Sequence, residues 1–472
     1  MNHFDLIILG AGPAGISAAL TAAQHQLNVA LFDENPAAGG QVYRAPAIKN
    51  SLPRQGEAVT GDNLRQQLAD SNVSLFMGHQ VWSVTGDFRV DALGPSGPVH
   101  FTSRLLLVAS GTTERVVPFE GWTLPGVIGL AAATLLLKSQ QTLPGKTTLV
   151  AGCGPLLAAV AGGTLKAGGE VLAIADIAGK QDWARTLPAM LRRPDILKQS
   201  AGYGLPVLRA RTPIYSRHTL VRVTEQDGKL LAELAPCDAT GNPQPGPRRQ
   251  ILVDCITVGH GLTPSTEITR LLNAGHHYSR ESGGFIATID EQGQTTRPRL
   301  FAAGDCTGIY GAAAALRQGV MVALACVSLL KGDDSALLPA RKQAEAEWRR
   351  VSHFGRKMAG LMALREGHTD SIAADTIVCR CEDVSRADIE AACDAGATEV
   401  NQLKAWTRCG MGPCQGRSCG DVASEILARR LNLSRDTAGI FSPRTPLRPL
   451  LVSDLTGDFD YADIPIPKAA PL

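Results

Sequence analysis

Six of the chain's 11 cysteines, at positions 379, 381, 393, 409, 414 and 419, crowd into one short segment that runs from VCRCEDV to CGMGPCQGRSC. A disulfide scaffold would spread its cysteines over a much shorter chain, so in a reducing compartment this clustering points to metal or redox chemistry. Cys379 and Cys381 stand one residue apart, and Cys414 and Cys419 have four residues between them. Four thiolates from two loops match an all-cysteine [2Fe–2S] site, and Gly410, Gly412 and Gly416 leave backbone N–H groups able to bond sulfur. Structural zinc takes the same four thiolates in a tetrahedron, but its knuckles usually set two residues between the cysteines, and the tighter Cys-x-Cys suits it less. Cys409 is a fifth thiol within reach, and the choice between Cys409 and Cys419 stays open at this point.

Two further stretches have the spacing of nucleotide sites. FDLIIL, residues 4–9, is followed at once by GAGPAG and then by ISAALTAAQHQ, which reads as strand, turn and helix. Gly10 permits the tight turn, Gly12 lets the backbone approach a pyrophosphate, Pro13 and Ala14 open the helix, and Gly15 lets that helix pack close to the strand. Asp33, with Glu34 beside it, ends the next strand 18 residues after Gly15, near the offset of a ribose-binding carboxylate. The second stretch, TTLVAGCGPLLAAVAGGTLKAGGEVLAIAD (147–176), repeats the pattern with Gly152 and Gly154, but Leu157 replaces the third glycine. Asp176 ends its second strand, and no arginine follows directly, which disfavours a 2′-phosphate. This predicts a site for NAD or another adenine nucleotide such as ATP; the competing expectation is a fold of that type that packs without a ligand. Cys153 reads as a small apolar filler.

The elements that must position these groups follow from periodicity and caps. In the cysteine segment Ser385 and Asp388 predict a capping box for a helix with Ile389, Ala392 and Cys393 on one apolar face, so Cys393 is expected to be buried rather than a ligand. Gly396 ends it, Thr398 is expected to cap a second helix carrying Val400, Leu403 and Trp406, and Gly420 precedes a third. At 472 residues the chain suggests about three domains. The balance of 46 Lys+Arg against 44 Asp+Glu leaves no polyanion-binding footprint, so nucleic acid is a poor candidate. No signal peptide is expected from the start, and the apolar run VIGLAAATLLL (127–137) is short of a membrane span. The expectation is a cytoplasmic protein without a transmembrane segment, touching a membrane only through partners.

Further motifs carry a family resemblance. NPAAGGQVYR (35–44), with Gly40 and Gln41, resembles the loop that runs over the isoalloxazine in two-dinucleotide-domain flavoproteins. RLLLVASGTTERVVPFEGW (104–122), with Ala109 and Gly111, resembles their crossing segment, DCITVGHGLTP (254–264) their return, and TRPRLFAAGDCTG (296–308), with Gly304 and Asp305, their third fingerprint. The resemblance implies an α/β fold: a Rossmann-like FAD domain with an inserted NAD-type domain. It also implies that Asp305 hydrogen-bonds the flavin ribityl chain, as an acceptor-only group can. Residues 1–330 lack a Cys-x-x-Cys pair, which excludes dithiol reductase chemistry. The 378–432 segment resembles the bacterioferritin-associated ferredoxin-like domain, which places cluster ligands on Cys379, Cys381, Cys414 and Cys419.

Over its whole length the chain resembles the α-type component of hetero-oligomeric amino-acid and opine dehydrogenases. That resemblance implies residues 1–117 and 263–330 as the FAD-binding domain, 118–262 as the inserted domain, 331–374 as a helical linker, 375–432 as the small helical [2Fe–2S] domain and 433–472 as an extended tail. It implies amine oxidation on a D-amino-acid-oxidase-like FAD partner, FMN at a subunit interface and a further, small ferredoxin-like partner. The sequence shows no substrate constellation of its own, so no catalytic residue is assigned; His260 reads as structural. The Pro-rich tail (441–472) is expected to be disordered or to lie along a partner, with the partner favoured. The alternative functions are a stand-alone NAD(P)H-dependent reductase feeding a ferredoxin-like acceptor and a non-enzymatic scaffold.

Overall fold

The computed structural model describes residues 3–47, 56–332 and 335–455. Leu6, Ile7 and Ile8 of strand His3–Leu9 are fully buried, because a parallel strand covered on both faces must be apolar on both. That strand lies between Val29–Asp33 and Gly97–Val108 and runs parallel to both; Ser74–Met77 extends one side, and Leu300–Ala302 pairs with Gly97–Val108. Arg89–Gly94 and Gln80–Thr85 continue the sheet as an antiparallel meander. Helices Pro13–Gln24 and Ala312–Lys331 pack against each other over one face, so closely that a Cβ on Gly319 would meet the Ala14 carbonyl oxygen at 2.2 Å. Helix Ala312–Lys331 has the length and hydropathy to cross a membrane, but its Val322 to Val327 run is buried in this core.

A two-stranded ribbon, Thr112–Glu114 with Leu262–Pro264, carries the chain to a second sheet and back. There Ile214–Ser216, Glu170–Asp176, Thr147–Gly152, Cys255–Gly259 and Val127–Gly129 lie in that order, all parallel. Helices Leu156–Lys166 and Pro194–Arg209 cover one face; a three-stranded antiparallel sheet, His218–Gln226, Lys229–Pro236 and Arg249–Val253, supplies apolar side chains to the other. Leu157, in the place of the third glycine, is 3% exposed and packs with Leu130, Val150 and Val160.

Residues 331–374, expected as a linker, hold the 24-residue helix Leu338–Leu361, which packs on both Ala312–Lys331 and Lys180–Leu191. The cysteine unit follows as a short hairpin (Ile377–Cys379, Val384–Ser385) and helices Arg386–Asp394, Val400–Thr407, Gly420–Arg430 and Arg435–Ala438. The Ser385–Asp388 capping box is present, and Ile389, Ala392 and Cys393 are buried. Two expectations need correction here. Glu399, not Thr398, caps the second helix, by accepting from the N–H groups of Asn401 and Gln402, because its longer side chain reaches both donors. Trp406 is 54% exposed instead of joining Val400 and Leu403 in the core.

The tail is corrected as well. Phe441 is buried against Gly410, Gly416 and Gly420, Leu447 is buried and its N–H donates to the Trp82 carbonyl (2.8 Å), and Arg435–Ala438 is helical. Its described residues therefore run over their own chain, because Phe441 and Leu447 find apolar seats there; the expectation for 456–472 lies outside the described residues.

Candidate functional site

The first Gly-rich turn opens a cleft of about 300 Å³. A Cβ on Gly15 would meet the Gly10 carbonyl oxygen at 1.8 Å, so only glycine lets the helix sit this close to the strand. Gly12 differs: the nearest atom to a Cβ there is the Gly40 Cα at 3.9 Å, so it faces open space. It caps helix Pro13–Gln24 without a side-chain bond, and Pro13 follows at the first turn, leaving the positive helix end directed at the cleft. That arrangement seats a pyrophosphate.

All the residues expected at this site line the cleft except Gly15, which does its work inside the turn: Gly10, Gly12, Pro13, Ala14, Asp33, Glu34, Gly40, Gln41, Ala109, Gly111, Gly304 and Asp305. Asp33 is committed to the loop, accepting from Ala11 N–H (2.7 Å) and from the backbone and side-chain amides of Asn35 (2.8 Å each). Glu34, 3.6 Å from Arg448 Nε, is the carboxylate exposed at the cleft's edge. Asp305 accepts from the N–H groups of Tyr310 and Gly311 (2.9 Å each); burial pushes its pKa up and those two bonds oppose the push. Sequence reasoning missed Ser110, Glu267, Leu447 and Arg448 in the lining. Leu447 and Arg448 arrive from the tail, where no spacing rule flags them.

Burial raises Cys153, Cys255, Cys306 and Cys326 well above the ordinary thiol range, so outside the cysteine unit these thiols stay protonated. In that unit the Cys379, Cys409 and Cys419 sulfurs lie within 4.8 Å of one another, all buried. Hydrogen bonds from the other two thiols hold the Cys379 thiol far below its ordinary value, and backbone N–H groups of Gly410 and Glu382 add to this. Cys381 and Cys414 form a second, more exposed pair in hydrogen-bond contact. A Cβ on Gly412 would strike Cys381 Cβ at 2.2 Å, which is why the loop can fold over that side chain only with glycine there. The donor set is thus five sulfurs in two adjoining groups, chemistry that suits thiophilic iron or zinc. Of the expected ligands, Cys379 and Cys419 fall in the first group and Cys381 and Cys414 in the second; Cys409, left open in the sequence, sits in the first.

A second cavity, about 580 Å³, adjoins the first cleft at Thr113, Ser265 and Glu267 and reaches the cysteine loop at Gly410 and Gln415. Arg270, Lys404, Arg408, Arg417, Arg435 and Arg444 line it. Burial and then the charge of Arg444 pull Lys404 below its ordinary value. Arg417 joins the two sites directly, donating to Glu267 Oε1 (2.7 Å) and to the Leu447 carbonyl (2.8 Å).

In the wall of this cavity the three units share one buried ionic knot. Arg115 (3% exposed) donates to Asp421 Oδ2 (2.7 Å) and to the carbonyls of His260, Gly283 and Met362. Asp421 also accepts from Arg435 (2.8 Å), which in turn bonds Glu425 (2.6 Å). Burial would raise Asp421, but Arg115 and Arg435 outweigh it and hold the carboxyl at about 2.

The second Gly-rich turn lines neither cavity. Gly152 lies against the Gly259 carbonyl, Gly154 against Met362, and Asp176 (6% exposed) accepts from Ala178 N–H and Trp183 Nε1 (2.8 Å each).

The sequence pattern of the pyridine nucleotide-disulphide oxidoreductase family matches residues 4–319, and that of the sarcosine oxidase A3 domain matches residues 373–458. The A subunit of opine oxidase from Agrobacterium tumefaciens (strain Ach5) is 31% identical over 96% of this chain and 92% of its own. The HcnB subunit of hydrogen cyanide synthase from Pseudomonas aeruginosa is 32% identical, over 94% and 96% respectively. The α subunit of sarcosine oxidase from Corynebacterium sp. (strain P-1) is 23% identical over 96% of this chain but 45% of its own length. Among solved structures, L-proline dehydrogenase from P. horikoshii superposes with a TM-score of 0.69 at 18% identity, covering 96% of this chain and 79% of its own, which shows a shared fold.

Proposed function

The chain is an oxidoreductase of the pyridine nucleotide-disulphide oxidoreductase family, related over nearly its full length to the A subunits of opine oxidases, and from that premise we propose that it is the FAD- and [2Fe–2S]-containing electron-transfer subunit of a hetero-oligomeric amino-acid or opine dehydrogenase. In this reading the secondary amine is oxidised on a partner D-amino-acid-oxidase-like subunit, and the assembly works in the cytoplasm. One observation carries the proposal above the rest: a dinucleotide cleft and a unit with five clustered cysteines adjoin in one polypeptide, bonded through Arg417 and Glu267.

FAD supplies reversible hydride chemistry and the cluster one-electron exchange. This chain's residues bind and orient. With FAD bound, Gly12 and the helix end behind it would hold the pyrophosphate, Glu34 and Asp305 would accept from sugar and ribityl hydroxyls, and Gly40 and Gln41 would hold the isoalloxazine. Cys379, Cys381, Cys414 and Cys419 are the proposed ligands, with Cys409, whose sulfur lies within 4.8 Å of those of Cys379 and Cys419, as a fifth thiol beside them. The basic cavity between the sites has the charge to hold the phosphate of an FMN at the subunit interface.

The test is anaerobic purification with the co-expressed partner, followed by analysis of flavin, iron and acid-labile sulfide. FAD with equimolar iron and sulfide is expected. Zinc in place of iron, with no sulfide, would overturn the cluster half of the reading and leave the flavin half standing.

A further inference from the structure

The two Gly-rich turns share a pattern and differ in what lies over them. Above Gly12 there is open cleft; above Gly154 there is the chain itself. A Cβ on Gly154 would meet both Cγ and Sδ of Met362 at 2.6 Å, and one on Gly261, beside it, would meet the Met362 carbonyl at 2.7 Å. Met362 directly follows helix Leu338–Leu361, whose last turns fill the rest of the hollow. Met358 and Leu361 form a buried cluster with Cys153 and Ala178, flanked by Phe354 and Trp183, and the Cys153 thiol donates to the Leu361 carbonyl (3.2 Å).

Polar groups lock the same seat. Arg365 pairs with Asp182 (3.3 Å), which also pairs with Arg217 (2.9 Å), and donates to the Ala239 carbonyl (3.0 Å). Arg115 holds the Met362 carbonyl from the opposite side (3.1 Å). Asp176, where a ribose-binding carboxylate is expected, instead orients Trp183, a wall of the hollow.

We infer that the second Gly-rich turn is a socket for the chain's own connector helix, and that the place where a second dinucleotide would lie is filled by Met358, Leu361, Met362 and Arg365. A pyrophosphate at Gly154 has to displace the Met362 thioether, expose an apolar cluster and break the Arg365–Asp182 pair. The pattern of a nucleotide fold persists here as a protein–protein joint that fixes the connector, and through it the cysteine unit, against the inserted sheet. NADH therefore has no seat in the inserted domain, whatever amine or partner the complex uses.

The holoprotein, purified with its flavin bound and dialysed against millimolar NADH, tests this without partner or substrate, so its outcome is separable from that of the amine-dehydrogenase reading. No saturable NADH binding is expected, and amide exchange over residues 354–365 should be unchanged by NADH. Saturable binding of one NADH per chain, with loss of protection over 354–365, would overturn the inference. A Met362→Gly/Arg365→Ala double variant should gain iodoacetamide reactivity at Cys153 and bind one NADH per chain. If the folded variant exposes Cys153 and still takes no NADH, the plug is not what closes the site and the inference fails. If the variant does not fold, the wild-type dialysis and exchange results decide alone.

Discussion

Cys381 and Cys393 lie in the same small unit and have opposite surroundings. Cys381 is exposed beside Cys414, whereas Cys393 is buried on the apolar face of helix Arg386–Asp394. Cys381→Ser should therefore abolish both iron and acid-labile sulfide, while Cys393→Ser should leave both at the wild-type level; metal analysis of the two variants separates ligand from filler. Two titrating side chains at the ribbon make opposite demands on pH. Burial raises Glu114 to about 7, against opposing bonds from the Ala131 and Leu130 N–H groups, so its stability contribution is full below its unfolded value near 4.5 and is lost as pH rises through about 7. Burial, and then the charges of Arg115 and Arg365, lower His260 to about 4, so its contribution is present above 6.5 and is lost as pH falls toward 4. Each shift corresponds to about 3 kcal/mol. Denaturant titrations across pH should show Glu114→Gln flattening the loss between 4.5 and 7, and His260→Gln flattening the loss between 6.5 and 4. A variant with the wild-type profile would contradict the assignment. At this scale the thiols were legible by type and spacing. Glu114, half-buried where it accepts from the Ala131 N–H at the start of helix Leu130–Leu135, was not, because that setting arises from two strands that meet only in the fold.

At the scale of elements, one Gly-rich turn separates folding from binding. Gly15→Ala forces a Cβ into the Gly10 carbonyl at 1.8 Å, and a loss of about 2 kcal/mol in stability is expected. Gly12→Ala meets nothing nearer than 3.9 Å within the protein but intrudes on the cleft, so stability should hold while flavin affinity falls by ~10-fold or more. Thermal unfolding and flavin titration of the pair measure the two effects, and equal loss of both properties in both variants would refute the division. The first strand–turn–helix was legible because its apolar run, glycines and acid are all local signals. The second turn carried the same local signals except the third glycine, where Leu157 stands. What covers it comes from a helix about 200 residues later, and no window of sequence contains that contact. The Glu399 cap was missed for a simpler reason: serine and threonine are the usual candidates, and here the longer carboxylate reaches two N–H groups at once.

Across the whole molecule, three units are tied by contacts that periodicity cannot show. Arg115 from the ribbon reaches Asp421 in the cysteine unit, Arg417 from the cysteine loop reaches Glu267 at the cleft, and the tail runs from Phe441 at the cysteine loop to Arg448 at the cleft edge. The order of the units along the chain was legible from motifs. Their docking was not, since it rests on single buried arginines and on a tail whose composition suggested an extended segment. This closeness of cleft and sulfur loop is what the proposed relay rests on, and the proposal stands or falls on whether its electrons originate on a partner. The most direct measurement follows flavin absorbance anaerobically in the isolated holoprotein on adding NADH, and then in the co-expressed complex on adding a secondary-amine substrate. The flavin is expected to stay oxidised with NADH and to bleach only when both partner and amine are present. Bleaching of the isolated chain by NADH at a rate fit for turnover would contradict it and establish a stand-alone reductase.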